Sequence, residues 1–224
     1  MSQAEQLHRS WIENAAAWCA AVREQRIESR RLVTDAAIVA AVLERNPRHV
    51  LDVGCGEGWL ARAIAASGAA VTGIDASTPL IDAARASGGG ATYRSLRYED
   101  LVADPAILGS KFDTIVANFS LLDDRTEELL AALATVLAER GALLIQTVHP
   151  LTAADGNYAD GWRTETFASV PGAWREPMPW YFRTLASWAG VLRRAGYCIA
   201  DLREPLYPDR PIPASMLFVC GRAA

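Results

Sequence analysis

The chain has 224 residues, 51% apolar and 21% charged, with a formal net charge of −4. That length suits one domain with a full core, and the acidic balance argues against a nucleic-acid face, which needs clustered positive charge. No apolar run reaches the ~20 residues of a membrane span. Met-Ser-Gln-Ala-Glu-Gln lacks a secretion-signal pattern, and Cys19, Cys55, Cys198 and Cys220 show no C-x-x-C spacing, so a cytoplasmic chain without disulfide framework or metal is expected.

Residues 5–45 read as helices. Trp11, Ala15, Trp18 and Val22 recur at helical spacing, and Asp35–Leu43 is rich in Ala, Val and Leu. Arg23, Arg26, Arg30 and Arg31 fall near the same period and read as a mostly solvated face. Pro47 ends the helical stretch before a strand at 49–54, in which apolar residues flank Asp52. Gly54-Cys55-Gly56-Glu57-Gly58 then predicts a tight turn where a ligand can touch bare backbone. A helix starting at Trp59 aims its free N–H groups at that ligand. Asp75 closes the next strand, 70–75, where a carboxylate can accept hydrogen bonds from two ribose hydroxyls. The turn is therefore built for a nucleoside-containing cofactor.

Further along, Pro79 sits in the first turn of a helix, and Gly88-Gly89-Gly90 breaks the chain before a weak strand at 92–96. Phe112–Asn118 is a clear fourth strand, followed by a helix at Thr126–Ala138 capped by Gly141, then a fifth strand at Ala142–Val148. A long connection at 150–183 carries seven aromatic residues and Arg163, Arg175 and Arg183. A helix at 184–195 and a strand pair, Tyr197–Leu202 and Met216–Cys220, close the chain around a Pro-rich link. Strands alternating with helices predict a doubly wound, mostly parallel sheet. The expected organisation is one domain: a helical cap (1–46), a cofactor-binding core (48–149), a lid insertion (150–183) and a C-terminal helix with strand pair (184–224).

The dinucleotide fingerprint is G-x-G-x-x-G against a pyrophosphate. Here the spacing is G-x-G-x-G with a carboxylate, Glu57, inside it, which a diphosphate would repel. Asp52 and Glu57 suit the positive sulfonium and ammonium of S-adenosylmethionine. Residues 50–58 and Asp75 resemble the first two motifs of the class I (Rossmann-like) S-adenosylmethionine-dependent methyltransferases, in their small-molecule branch. The resemblance covers residues 48–149 by motif and 184–221 by pattern. It implies a seven-stranded sheet with an antiparallel last strand, and S-adenosylhomocysteine as product.

By the same resemblance, Asp52, Gly54 and Gly56 hold the methionine part, Asp75 the ribose, and Ala76 the adenine edge. Tyr98 and Glu99 match an adenine-contacting motif only in part. Asn118-Phe119-Ser120 takes the place of the motif beneath the sulfonium and lacks the Asn/Asp-Pro-Pro-Tyr/Phe signature of base and amide methylation. Arg30, with Arg31 as rival, pairs with the cofactor carboxylate. Trp11, Asn14 and Trp18 lie on a helix that folds over the cofactor, or in core packing. The lid is expected to form the acceptor pocket, with Trp18, Tyr158, Trp162, Arg163, Trp180 and Arg183. His149, followed by Pro150, is either a proton acceptor for the incoming hydroxyl or ammonium or a backbone-bonded strand-end residue.

The expected activity is methyl transfer to O or N of an aromatic or carboxylate-bearing small molecule, by a monomer or homodimer with no nucleic-acid or membrane partner. Two readings stay open beside it: a Rossmann-like NAD(P) or flavin oxidoreductase, and a cofactor-binding regulatory protein without turnover.

Overall fold

The computed structural model describes residues 1–223. The cap is two helices, α1 (Gln3–Glu13) and α2 (Ala15–Arg23), then a π-type turn at Arg30–Thr34 that runs into α3 (Asp35–Leu43). The core follows as β1 (His49–Val53), α4 (Trp59–Ala65), β2 (Ala70–Asp75), α5 (Thr78–Ala86), β3 (Thr92–Ser95), α6 (Tyr98–Ala103), β4 (Phe112–Asn118), α7 (Thr126–Val136) and β5 (Leu137–Thr147). A short α8 (Pro150–Ala153) leads to β6 (Gly161–Glu165) and β7 (Met178–Phe182). The chain ends in α9 (Leu185–Arg194), β8 (Tyr197–Arg203) and β9 (Met216–Arg222).

Seven strands form one sheet in the order β3-β2-β1-β4-β5-β9-β8. The first five are parallel and β9 runs antiparallel between β5 and β8. The expected doubly wound α/β sheet with its antiparallel last strand is what forms. The central strands are apolar on both faces because helices cover both. Leu51, Ile115, Leu143 and Phe218 pack with α7 and α9 through Leu130, Leu133 and Trp188. Val50, Val116, Leu144 and Leu217 pack on the other face with Ile38, Leu60 and Ile81 of α3, α4 and α5. By the two-residue alternation of a strand, Asp52, Asn118 and Gln146 share this second face. No helix among the described residues is long and apolar enough to cross a membrane.

Two local expectations are corrected. The helix before β5 stops at Val136 with Leu137 already extended, so Gly141 caps nothing. Gly141 lies inside β5, in an irregular stretch where Phe112 pairs with Leu137 and Thr114 with Ala142. A Cβ there would sit 2.6 Å from Leu137 Cδ1 and 3.0 Å from the Asp113 carbonyl, so close backbone approach explains the glycine. The 150–183 connection is also more regular than a loop. β6 and β7 pair antiparallel as a separate hairpin, with Trp162 opposite Tyr181 and Arg163 opposite Trp180.

Candidate functional site

The glycine turn leaves β1 at the carboxyl end of the sheet. The N–H groups of Gly54 and Cys55 both donate to the Ile74 carbonyl, at 2.8 and 3.0 Å. The Gly56 N–H donates to Asp75 Oδ2 at 2.9 Å, and Ser77 N–H to Asp75 Oδ1 at 2.8 Å. Asp75 therefore locks the first turn to the second before any ligand arrives, with Ala76 between the two anchored residues. Burial is the main cause that raises its pKa, and the two N–H donors oppose that shift.

Gly54 adopts φ +71°, and a Cβ there would fall 2.3 Å from Ser120 Cβ and 2.6 Å from the Tyr98 hydroxyl. Left-handed strain for a non-glycine residue costs ~1–2 kcal/mol and overpacking ~1–3. Gly54→Ala should therefore lose about 3 kcal/mol, roughly 6–12 °C in Tm by thermal melt. Gly56, at φ +55°, is open by contrast: its Cβ position meets only the Trp18 indole Nε1, at 3.6 Å. Trp18 thus stands over the glycine turn, edge-on to Trp11 at 5.1 Å and to Trp174 at 6.5 Å.

Asp52 is 1% exposed and its Oδ2 has no hydrogen-bond partner among the described residues. Burial first, and the Asp75 charge second, push its pKa up to about 7. A buried carboxylate is costly to leave unpaired, so this oxygen marks a place for a cationic or hydrogen-donating group. The residues around the turn fit S-adenosylmethionine on that ground and on the open backbone at Gly56.

Glu57 corrects the sequence reading. Its carboxylate is 1% exposed and points into a cage of arginines, with Arg62 Nη2 at 2.9 and 3.0 Å and Arg23 Nε at 3.2 Å. It is neutralised locally and neither attracts a sulfonium nor repels a phosphate. Of the four arginines read as a solvated face, three are engaged instead: Arg23 with Glu57, Arg26 with the Pro171 carbonyl and Arg30 with Asp35, while Arg31 is exposed.

Arg30 donates through Nε and Nη2 to the Asp35 carboxylate, at 3.0 and 3.2 Å. Its guanidinium lies 4.6 Å from the ring centre of Trp59, the residue after Gly58. The remaining Nη1 has no hydrogen-bond partner among the described residues. Tyr98 lies across the turn, its hydroxyl donating to the Ser120 carbonyl at 3.4 Å, while Glu99 is turned outward, 3.6 Å from Arg97. At the end of β4, Asn118 Oδ1 accepts from Gln146 Nε2 at 2.8 Å. Phe119 takes φ +52°, an uncommon conformation for an aromatic residue and a form of local strain. Ser120 Oγ donates to the Val53 carbonyl at 2.5 Å, tying the end of β4 to the start of the glycine turn.

His149 is 3% exposed and caps α8. Its Nδ1 accepts the Leu151 N–H at 3.3 Å, which puts the ring proton on Nε2, and Nε2 donates to Glu204 Oε1 at 2.6 Å. Neither nitrogen keeps a free lone pair for an incoming proton. In this geometry His149 ties α8 to the Pro-rich link, as in the second of its two readings.

Of the three arginines in the 150–183 segment, Arg163 and Arg183 are likewise turned inward, while Arg175 stays exposed. Arg163 donates to the Ala154 carbonyl at 2.7 Å and lies 3.9 Å from the Phe182 ring centre. Arg183 donates to the Asp123 and Asp124 carbonyls at 2.7 and 2.9 Å, beside Tyr181 and Trp188, and burial lowers its pKa. Tyr158 and Trp180 both pack edge-on to Phe182, at 6.1 Å, and Trp162 does so to Tyr181 at 5.5 Å. These contacts centre on the buried Phe182, and the Arg163 guanidinium is taken up by backbone carbonyls and that ring, so Arg163 does not present the free guanidinium expected for an anionic acceptor. Asn14 pins the hairpin to the cap: its side chain donates to the Glu176 carbonyl and accepts from Arg175 N–H, both at 2.7 Å.

Comparison with known proteins bears on this geometry. Residues 50–141 match the family model described as a methyltransferase domain. The ubiquinone biosynthesis O-methyltransferase of Xanthomonas axonopodis pv. citri (strain 306) is 37% identical over 122 residues, 52% of this chain and 49% of that protein. The enzyme of the same name from Actinobacillus pleuropneumoniae serotype 7 (strain AP76) is 38% identical over 109 residues, 46% of each. The chain thus spans about half the length of the curated relatives it matches. Among solved structures, the 1,6-didemethyltoxoflavin-N1-methyltransferase of Burkholderia thailandensis superposes with a TM-score of 0.66 at 19% identity, over 99% of this chain and 89% of that one. An S-adenosylmethionine-dependent methyltransferase from Mesorhizobium loti gives 0.62 at 23% identity, over 83% and 96%. At these identities the superpositions carry the fold. Residues 50–141 thus match a methyltransferase domain model, and the chain shares the fold of these solved methyltransferases.

Proposed function

We propose that the chain transfers a methyl group from S-adenosylmethionine to an oxygen or nitrogen of a small-molecule acceptor. The observation that carries the reading is the turn locked by Asp75 beside the unpaired, buried Asp52 oxygen. Bare backbone, a ribose-facing acid and a buried anion are what a phosphate-free, cationic nucleoside cofactor requires. Half-length similarity to quinone-pathway O-methyltransferases supports an oxygen acceptor, and the aromatic lid supports a planar one.

When bound, S-adenosylmethionine supplies an electrophilic methyl on a positive sulfur. The chain's own part is binding, orientation and exclusion of water. Asp52, Gly54 and Gly56 take the amino-acid end together with Arg30, and Asp75 with Ala76 takes the nucleoside. Tyr98, Trp18 and the Asn118–Phe119 turn enclose the reacting centre. The acceptor enters between the lid hairpin and the ends of β4 and β5. The same reading takes the protein as a cytoplasmic monomer or homodimer without nucleic-acid or membrane partners, supported by its net charge of −4.

Isothermal titration should detect S-adenosylhomocysteine and not NAD. Methyl-labelled cofactor, incubated with aromatic hydroxyl and amine compounds and then with a metabolite extract, should label a small product. Binding of NAD with none of S-adenosylhomocysteine overturns the reading.

A further inference from the structure

Gln146 follows the apolar run Ala142–Ile145 of β5, and it is 1% exposed. Its amide is engaged on both sides. Nε2 donates to the Thr34 carbonyl at 2.9 Å and to Asn118 Oδ1 at 2.8 Å, and Oε1 accepts from the Ser215 hydroxyl at 3.2 Å. Its main-chain carbonyl accepts the Phe119 N–H at 2.7 Å. Because a carbonyl can only accept, Thr34 fixes which end of the amide faces α3 and Asn118.

A core position alone does not call for this network. Leu144, two residues earlier on the same face, does its packing with no polar atoms, and a buried amide is costly unless every partner is in place. What the network does is join three separate segments. Thr34 closes the π-type turn that Arg30 opens, and insertion of a side chain into a helix ladder is a known cause of such irregularities. Asn118 and Phe119 are the exit of β4, directly opposite Gln146 in the sheet register. Ser215 ends the Pro-rich link. Arg30, carried by the first segment, stands against Trp59 at the start of α4.

We propose that Gln146 is a positioning residue for the amino-acid end of the methyl donor, holding the turn that carries Arg30 at a fixed separation from the Asn118–Phe119 turn. The proposal rests on the cofactor reading given above, with Arg30 facing the donor's carboxylate. The nucleoside end lies outside its reach, because the anchors of Asp75 are Gly56 and Ser77.

The test uses the whole chain and two probes: S-adenosylhomocysteine, and 5′-methylthioadenosine, which keeps the nucleoside and sulfur but lacks the amino acid. Gln146→Met removes the donors at similar volume. Gln146→Glu sets carboxylate oxygens against the Thr34 carbonyl and Asn118 Oδ1. In both variants S-adenosylhomocysteine should weaken by about tenfold or more while 5′-methylthioadenosine stays within about threefold. Combining Gln146→Met with Arg30→Gln should cost less than the product of the single losses, because one acts through the other. Where Gln146→Glu fails to fold, Gln146→Met and this double variant decide. Equal weakening of both probes, full additivity with Arg30→Gln, or unchanged S-adenosylhomocysteine affinity overturns the proposal. A wild-type chain that binds neither probe removes the cofactor reading itself, and the role of Gln146 with it.

Discussion

Asp75→Ala should reduce S-adenosylhomocysteine affinity by about 100-fold or more, close to 2.7 kcal/mol. Two separate losses combine. The carboxylate is the acceptor for the Gly56 and Ser77 N–H groups, and its removal leaves both donors without their partner. An unsatisfied donor costs ~1–3 kcal/mol where water cannot replace the lost bond. The glycine turn therefore relaxes before the ligand is considered, and the ribose then loses its acceptor as well. Asp75→Asn keeps one acceptor oxygen, so it can hold Gly56 or Ser77 but presents an NH2 to the other. An intermediate loss of about tenfold follows. Titration calorimetry at a temperature where all variants are folded separates these values from the fall in Tm. Unaltered affinity in Asp75→Ala removes Asp75 from the ribose site.

That the side chain proposed for the ribose also shapes the turn explains why this part of the candidate site was legible in sequence. β1, the glycine turn, α4 and β2 are contiguous, and their residue types follow from local rules: alternation in a strand, positive φ at Gly54, an acid at the tip of β2. What stayed hidden depends on partners distant in sequence. Glu57 looked like a ligand-facing anion because Arg62 lies five residues ahead and Arg23 thirty-four behind it. His149 stays open in sequence between a base and a strand-end residue because nothing near it announces Glu204, fifty-five residues later. The β6–β7 pairing spans a twelve-residue connection whose aromatic residues suit a strand or a packed loop equally. Gly141 followed a helical pattern closely enough to pass for its cap, whereas the cause is backbone crowding against Asp113. Gln146 did carry a signal, a lone amide within Ala142–Thr147, yet its three partners come from three segments.

Asp52 should make cofactor binding depend on pH in a direction that a surface carboxylate would not. With its pKa pushed up to about 7 by burial and by Asp75, it is largely protonated in the ligand-free chain at pH 6. An ammonium or sulfonium nearby favours the ionised form, so binding expels that proton. S-adenosylhomocysteine should then bind about tenfold more weakly at pH 6 than at pH 8. Asp52→Asn should flatten the profile while lowering affinity at pH 8. The ligand-free fold responds with the opposite sign. A carboxyl whose folded pKa lies above its unfolded value of ~3.9 stabilises the fold below that value, and the contribution is lost as pH rises toward 7. The stability of Asp52→Asn relative to wild type should therefore grow from pH 5 to pH 8, reaching on the order of a few kcal/mol at pH 8, and the two chains should converge only below about pH 4. Removing this charge would thus strengthen the ligand-free fold, because burial and the Asp75 charge disfavour the ionised carboxyl. Parallel melting curves at pH 5 and pH 8, with no divergence between the two chains, would show that Asp52 is already ionised and paired without ligand.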